Sequence, residues 1–442
     1  MAEQSDEPPA GAQPSPPVIL PGRMRLFSAL LASLALLSAP ALAATPQERT
    51  VVVLLFDGVA PALLALAPVP AFERMRREGA FTHAFVPPFP TISLISGFTI
   101  STGCWPEQHG IVTNKFLDER GVLYDHSRDD DWTTGCEQLH EAAERQGVRS
   151  AALDWYGARS YSRGPLATYV DGADGHDSFP SDPERAEEVA KLLALPAEQR
   201  PRLILAYFRG PDSAAHFDGM QSSAARDAVV RMDAAVARVM AAIEAGPGRD
   251  ATALLVTTDH GMAPVTSIVN IERILRKHEI RARAISTGTT SFLYFDDPAA
   301  IEPAAQKLAA YPQFEVLRRD ALPSYAHLGT GPRVAPLIVS AKLPYFIEDA
   351  SSWPFALRWL GRVGPEFPSA GLFLKATHGY PAGVPGMVGI LYAWGDGIAE
   401  GVAAEFVHAI DLHPTVTTLL GIDPGVPVDG SARRDLLVPE GF

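Results

Sequence analysis

Apolar positions in this chain fall into short unbroken runs separated by helical stretches. Thr50 to Phe56 reads Thr-Val-Val-Val-Leu-Leu-Phe, β-branched and without a polar break, and it stops at Asp57-Gly58. Such a run predicts a strand buried on both faces, the pattern of a parallel sheet, with a carboxylate at its C-terminal edge. Ser150 to Leu153, Leu203 to Phe208 and Ala253 to Thr258 have the same character, and Val388 to Tyr392 is a fifth candidate. Between them the period changes. In Ala224 to Ala245, Val229, Met232, Val236, Val239, Met240 and Ile243 recur at helical spacing. Strand and helix in alternation predict an α/β fold, a mostly parallel sheet with helices on both faces. Ligands of such sheets bind beyond the carboxyl ends of the strands. Asp57, Asp212 and Asp259-His260 all fall just past such ends, so three distant segments are expected to converge on one rim.

From Ile268 to about Ala370 the pattern is different, with Asn270 to His278, an apolar run Ser291 to Phe295, a helical stretch Pro303 to Tyr311, and Gly and Pro throughout Tyr325 to Pro344. The expected organisation is an extension with a signal peptide at 1–43, a catalytic α/β core at 45–267, an inserted α+β capping lobe at 268–370, and the rest of the core at 371–435. The signal is read from Arg23 and Arg25, then the uncharged Leu26 to Ala44, and Ala41-Leu42-Ala43 as the cleavage motif. Met24 is a candidate start. No cysteine directly follows the apolar stretch, which argues against a lipoprotein. The mature chain is expected in the periplasm or outside the cell, with no stable membrane span after cleavage. There a disulfide between Cys104 and Cys136 is chemically permitted.

Composition removes several function classes. A net charge of −14 and a pI near 5.3 exclude nucleic-acid binding through a basic patch. Two cysteines exclude both a disulfide scaffold and a cysteine-based zinc finger.

The candidate chemistry is carried by carboxylates, imidazoles and one hydroxyl. Asp212 and His216 are four apart, on one face of a helical turn. Asp259-His260 follows a buried strand, and Thr377-His378-Gly379 sits in a glycine-rich loop. With Asp57 these make three carboxylates and three imidazoles, a donor set that suits Zn²⁺, with Mn²⁺ or Fe as alternatives. Each pair alone has a bland reading, as a solvated helix face, a helix cap or an Asx-turn; their joint position at strand ends points to metal. Ser93, in Pro90-Thr-Ile-Ser93, is expected at a helix start. Its hydroxyl there is either a nucleophile facing backbone N–H groups or merely an N-cap.

Taken together, these segments resemble the type I phosphodiesterase/nucleotide pyrophosphatase group of the alkaline phosphatase superfamily, from about Val51 to Gly421. Phe56-Asp57-Gly58 resembles its first metal motif, and Phe89-Pro-Thr-Ile-Ser93 its nucleophile segment. Thr102-Gly-Cys-Trp-Pro-Glu-Gln-His109-Gly-Ile-Val-Thr-Asn114 resembles its signature without a gap. Pro211-Asp212-Ser-Ala-Ala-His216, Thr258-Asp259-His260-Gly261 and Thr377-His378-Gly379 resemble the remaining metal motifs. The resemblance implies an alkaline-phosphatase-like fold and hydrolysis of a small phosphodiester or nucleotide through a covalent Ser93 intermediate. It implies one zinc on Asp212, His216 and His378, a second on Asp57, Asp259, His260 and Ser93, and Asn114 on a phosphoryl oxygen.

The chain departs from that pattern in two places. Ser93 stands where the family usually has Thr. Leu94-Ile95-Ser96 replaces Phe-Pro-Asn, so the aromatic platform for a nucleobase is missing at Leu94; Phe98, Trp155, Tyr156, Phe179 and Tyr207 are candidates to replace it. A phosphomonoesterase or phosphonate hydrolase on the same core is the alternative. A sulfatase is disfavoured because Cys104-Trp-Pro lacks the required Arg and lies away from Ser93. A catalytically silent envelope protein is disfavoured by the complete ligand set. His83, His109, His126, His140, His176, His278, His327, His408 and His413 are assigned structural or solvent-facing roles. Asp233, on the apolar face of its helix, is expected to bond nearby backbone.

Overall fold

A computed structural model describes residues 48–124, 135–158, 164–171, 180–347, 364–371, 374–425 and 427–439. The signal-peptide reading, His126, His176 and Phe179 lie outside the described residues.

The strands used below are β1 (Thr50–Phe56), β2 (Gly79–Val86), β3 (Ser150–Leu153), β4 (Tyr169–Asp171), β5 (Leu203–Phe208), β6 (Thr252–Thr258), β7 (Arg283–Thr287), β8 (Thr290–Tyr294), β9 (Phe314–Arg318), β10 (Leu337–Ala341) and β11 (Gly389–Gly395). A nine-stranded sheet runs Val402–Ala403, β2, β11, β6, β1, β5, β3, β4, with Val407–His408 also paired to β2. Its pairings are parallel except those of β11, which lies antiparallel to both β2 and β6. The run at Val388–Tyr392 is thus a central strand as expected, but of opposite direction to its neighbour β6. An apolar run carries no direction; the path of the preceding chain sets it.

β1 is apolar throughout because the sheet is covered on both sides. Val52, Leu54 and Phe56 join one core with the helices α1 (Pro70–Glu78), α3 (Asp182–Leu193) and α5 (Ser223–Ala245). Val51, Val53 and Leu55 join a second core with Ile100 of α2 (Ser93–Thr102) and Val416 of α6 (Leu412–Leu420). Asp233 bonds backbone as expected, and the bond has a purpose. The N-terminus of α1 has no cap from its own Val69. The Asp233 carboxylate, from α5, accepts from Ala71 N at 3.0 Å and Phe72 N at 3.2 Å instead. Asp233→Ala leaves both buried donors unpaired. It should cost about 2 kcal/mol of stability in a denaturant titration and leave turnover unchanged.

A smaller antiparallel sheet, β7-β8-β10-β9, lies between 283 and 341. One side packs on the helices Ile271–Lys277 and Ile301–Leu308 through Leu293, Leu337 and Val339. On its other side, Phe292, Leu317 and Ile338 cluster with Phe89, Ile92, Leu94 and Ile95, the residues flanking Ser93. The small sheet thus buttresses the start of α2. Cys104 and Cys136 form a disulfide.

Candidate active site

The rim at the carboxyl ends of β1, β5 and β6 gathers the residues singled out in the sequence. Asp57 follows β1 directly, Asp259-His260 follow β6, and Asp212 opens the short helix α4 (Asp212–Asp218) after β5. His378 follows the short strand Ala376–Thr377, which pairs with Ala263–Pro264 just beyond His260. Ser93 is the first residue of α2. Its neighbour Ile92 occupies the N-cap position, with no side-chain cap. Ser93 is therefore not the cap of its helix. The close approach of β1 to α4 requires glycine after Asp57: Gly58 has φ +72°, and a Cβ there would sit 2.8 Å from that of Asp212.

Ser93 Oγ lies 3.0 Å from His260 Nε2 and 3.4 Å from each oxygen of Asp57. His260 Nε2 lies 3.4 Å from Asp57 and 3.3 Å from Asp259. Asp212 Oδ1 lies 3.2 Å from His216 Nε2 and 3.8 Å from His378 Nε2. The His260 and His378 rings stack at 3.5 Å between centroids.

All three imidazoles have the same proton arrangement. Nδ1 of His216 faces Ala376 O at 2.7 Å, that of His260 faces Gly261 O at 2.9 Å, and that of His378 faces Thr91 O at 2.9 Å. A carbonyl only accepts, so each Nδ1 carries a proton, and as a neutral ring each would turn its Nε2 lone pair into the cluster. There the lone pairs meet carboxylates, which also only accept. Asp212 Oδ1 and Asp259 Oδ2 are buried with no hydrogen-bond partner. Acceptors gathered on acceptors fit a cation. Two groups have ligand atoms close enough to share an ion: Asp212, His260 and His378, and Asp57, Asp259 and His260. The charges agree. Burial, followed by the charges of Asp259 and Asp212, holds the Asp57 carboxyl well above its ordinary pKa. Burial lowers the pKa of His378 well below its ordinary value.

Asn114 stands apart from this network. Its amide oxygen is buried and has no hydrogen-bond partner. The preceding Thr113 hydroxyl bonds Thr287 of β7 at 2.6 Å, which ties this loop to the small sheet. Two of the aromatic candidates are removed as platforms: Phe98 and Trp155 are fully buried, and Trp155 Nε1 donates to Ser101 Oγ. Tyr207 has a part the sequence reading missed, since its hydroxyl donates to Asp57 Oδ2. The signal was an aromatic residue with a polar tip near the end of an otherwise apolar strand. The histidines assigned bland roles have such surroundings where described. His109 is buried against Thr99, with burial and the charge of Arg333 lowering its pKa to about 3. His83 meets the Tyr392 hydroxyl, and His327 stacks on Trp105. Among the described residues, no helix is long and apolar enough to cross a membrane.

Comparison with known proteins agrees with this geometry. The profile of the family "Type I phosphodiesterase / nucleotide pyrophosphatase" matches residues 51–381. Ectonucleotide pyrophosphatase/phosphodiesterase family member 7 of Mus musculus is 24% identical over 418 residues, 91% of this chain and 91% of that protein. A Xenopus laevis protein named bis(5'-adenosyl)-triphosphatase is 21% identical over 412 residues, 89% of this chain and 81% of its own length. Among solved structures, an inactive variant of murine ectonucleotide pyrophosphatase/phosphodiesterase 5 in complex with AMP superposes with a TM-score of 0.77. It is 21% identical and covers 88% of this chain and 100% of its own, which shows a shared fold. The chain belongs to the type I phosphodiesterase/nucleotide pyrophosphatase family, a family of metal-dependent hydrolases.

Proposed function

We propose that this chain is an exported enzyme that cleaves phosphodiester or pyrophosphate bonds through a covalent Ser93 intermediate at a two-zinc site. The ring of carboxylates and Nε2 lone pairs around Ser93 Oγ carries this reading. Asp212, His216 and His378 hold one zinc; Asp57, Asp259, His260 and Ser93 hold the other, with Mn²⁺ or Fe as substitutes. Bound there, the metals supply Lewis acidity, lowering the pKa of the Ser93 hydroxyl and offsetting charge on the phosphoryl oxygens. Ser93 Oγ attacks phosphorus, and the bond to the leaving oxygen breaks. The Asn114 amide and the backbone N–H groups opening α2 donate to a non-bridging oxygen as charge builds. Water then attacks phosphorus, the bond to Oγ breaks, and Ser93 is restored. Residues 268–370 act as the capping lobe between core segments 45–267 and 371–435. The buttressing of Ser93 by the small sheet supports that division. Export is supported by the sequence of Leu26 to Ala44 and by the Cys104–Cys136 disulfide, which suits an oxidising compartment.

The substrate is a small diester or nucleotide. The AMP complex of the structural neighbour and the name of the Xenopus laevis relative support a nucleotide. A diester is preferred over a monoester. A monoester dianion calls for a cation, such as an Arg fork. No Arg or Lys occurs from Ser93 to Asn114. Arg333 reaches this segment but donates to Gly110 O at 2.7 Å and lies over the Phe116 ring. A bis-aryl or alkyl-aryl phosphodiester should therefore show a higher kcat/KM than the matching monoester, measured at one pH with zinc-saturated enzyme. Preference for the monoester moves the chain to a phosphomonoesterase role on the same core.

A further inference from the structure

Thr113, the residue before Asn114, meets the capping lobe. Its Oγ1 lies 2.6 Å from Oγ1 of Thr287, the last residue of β7. Both threonines are buried. Thr290, opposite Thr287 in the β7–β8 register, has its Oγ1 3.3 Å from Thr287 Oγ1, so Thr287 can accept from one threonine while donating to the other. The hairpin turn between β7 and β8 is itself tied down. Gly288 O accepts from Ile347 N at 2.6 Å, and Thr289 O from Ala341 N at 2.8 Å.

The lobe grips this stretch of chain on both sides of Asn114. His327 O accepts from Glu107 N at 2.9 Å, and Arg333 Nη1 donates to Gly110 O at 2.7 Å. Tyr294 Oη accepts from Leu117 N at 3.1 Å. The Thr113–Thr287 bond lies between these contacts, one residue from Asn114. The Asn114 amide oxygen is buried and has no hydrogen-bond partner. No bond to that oxygen steadies the amide, so where its N–H groups point depends on the backbone that carries it. A donor serves charge building on a phosphoryl oxygen only when it is held beforehand within about 0.5 Å of its productive position.

We propose that Thr287 is a positioning residue, whose bond to Thr113 fixes the Asn114 amide for the phosphoryl oxygen. Thr287 acts through Asn114 and takes no part in bond making. The proposal rests on the reading of Asn114 as donor to a non-bridging oxygen.

Misplacing such a donor costs the transition state more than the bound substrate, so kcat should suffer and KM should not. In the zinc-loaded enzyme acting on a p-nitrophenyl diester, Thr287→Val should lower kcat about 10-fold, with KM and zinc content as in wild type. Thr287→Ser keeps the hydroxyl and should keep kcat. Thr113→Val breaks the same bond from its other end and should match Thr287→Val; it carries the test if Thr287→Val does not fold. Asn114→Ala should lower kcat about 100-fold, the scale for losing one donor to a developing oxyanion. With Asn114 already replaced, Thr287→Val should cost nothing more, because the two residues act as one unit. A merely structural role would cost as much in either background. Wild-type kcat in the valine variants, or an undiminished loss in the Asn114→Ala background, overturns the proposal. Wild-type kcat in Asn114→Ala refutes the donor itself, whereas an impaired Asn114→Ala beside an unaffected Thr287→Val refutes only the threonine.

Discussion

Ser93→Ala is expected to lower kcat/KM for an aryl phosphodiester by at least about 10³-fold, the order seen when a covalent nucleophile is removed. Folding and zinc content should persist. An N-cap serine would give the opposite result, a loss of about 1 kcal/mol in stability with activity kept. The geometry separates the two cases. Ile92 occupies the N-cap, so Ser93 Oγ has no capping bond to lose. It points instead at His260 Nε2 and both oxygens of Asp57. Differential scanning calorimetry beside steady-state kinetics decides the matter. A folded, metal-loaded Ser93→Ala that still turns over refutes the nucleophile assignment.

The second large effect is expected at His260, which belongs to both groups able to hold an ion and is fully buried. His260→Ala should reduce bound zinc below one equivalent and remove activity. His216→Ala should act more locally. Its Nε2 meets the Asp212 side of the cluster, so about one zinc should remain. EDTA should inactivate wild type, and Zn²⁺ should restore it but not His260→Ala. The physical cause is the acceptor-rich lining: without cations, the buried Asp212 Oδ1 and Asp259 Oδ2 have no hydrogen-bond partner. Elemental analysis of carefully prepared protein gives the count. Wild type without stoichiometric metal, or His260→Ala with a full complement, contradicts the two-metal reading.

Much of the fold was legible because burial on both faces leaves a local mark. β1, β3 and β5 occupy the residues their apolar runs indicated, and β6 begins one residue early. The helix from Ser223 to Ala245 follows its 3.6-residue period. The rim was legible for the same reason, since Asp57 and Asp259-His260 sit where unbroken runs end. β2 was not legible: Thr82 and His83 interrupt its apolar run, and the strand is completed by pairing with β11, some 300 residues away in sequence. The antiparallel sense of β11 was equally invisible.

Burial and alternation are written residue by residue, so the buried strands and the chemically competent side chains that end them can be read along the chain. How those side chains are used depends on segments that meet only in the fold. The Nδ1 protons of the three histidines are fixed by carbonyls of Ala376, Gly261 and Thr91, two of them from distant segments. Tyr207 was an aromatic candidate in the sequence and became a hydrogen-bond donor to Asp57 only through the register of β5 against β1. Asp233 caps a helix more than 160 positions earlier in the chain. A hydrogen bond depends on where two atoms lie within a few tenths of an ångström. That position is set by the packing of segments remote in sequence, which no local pattern records.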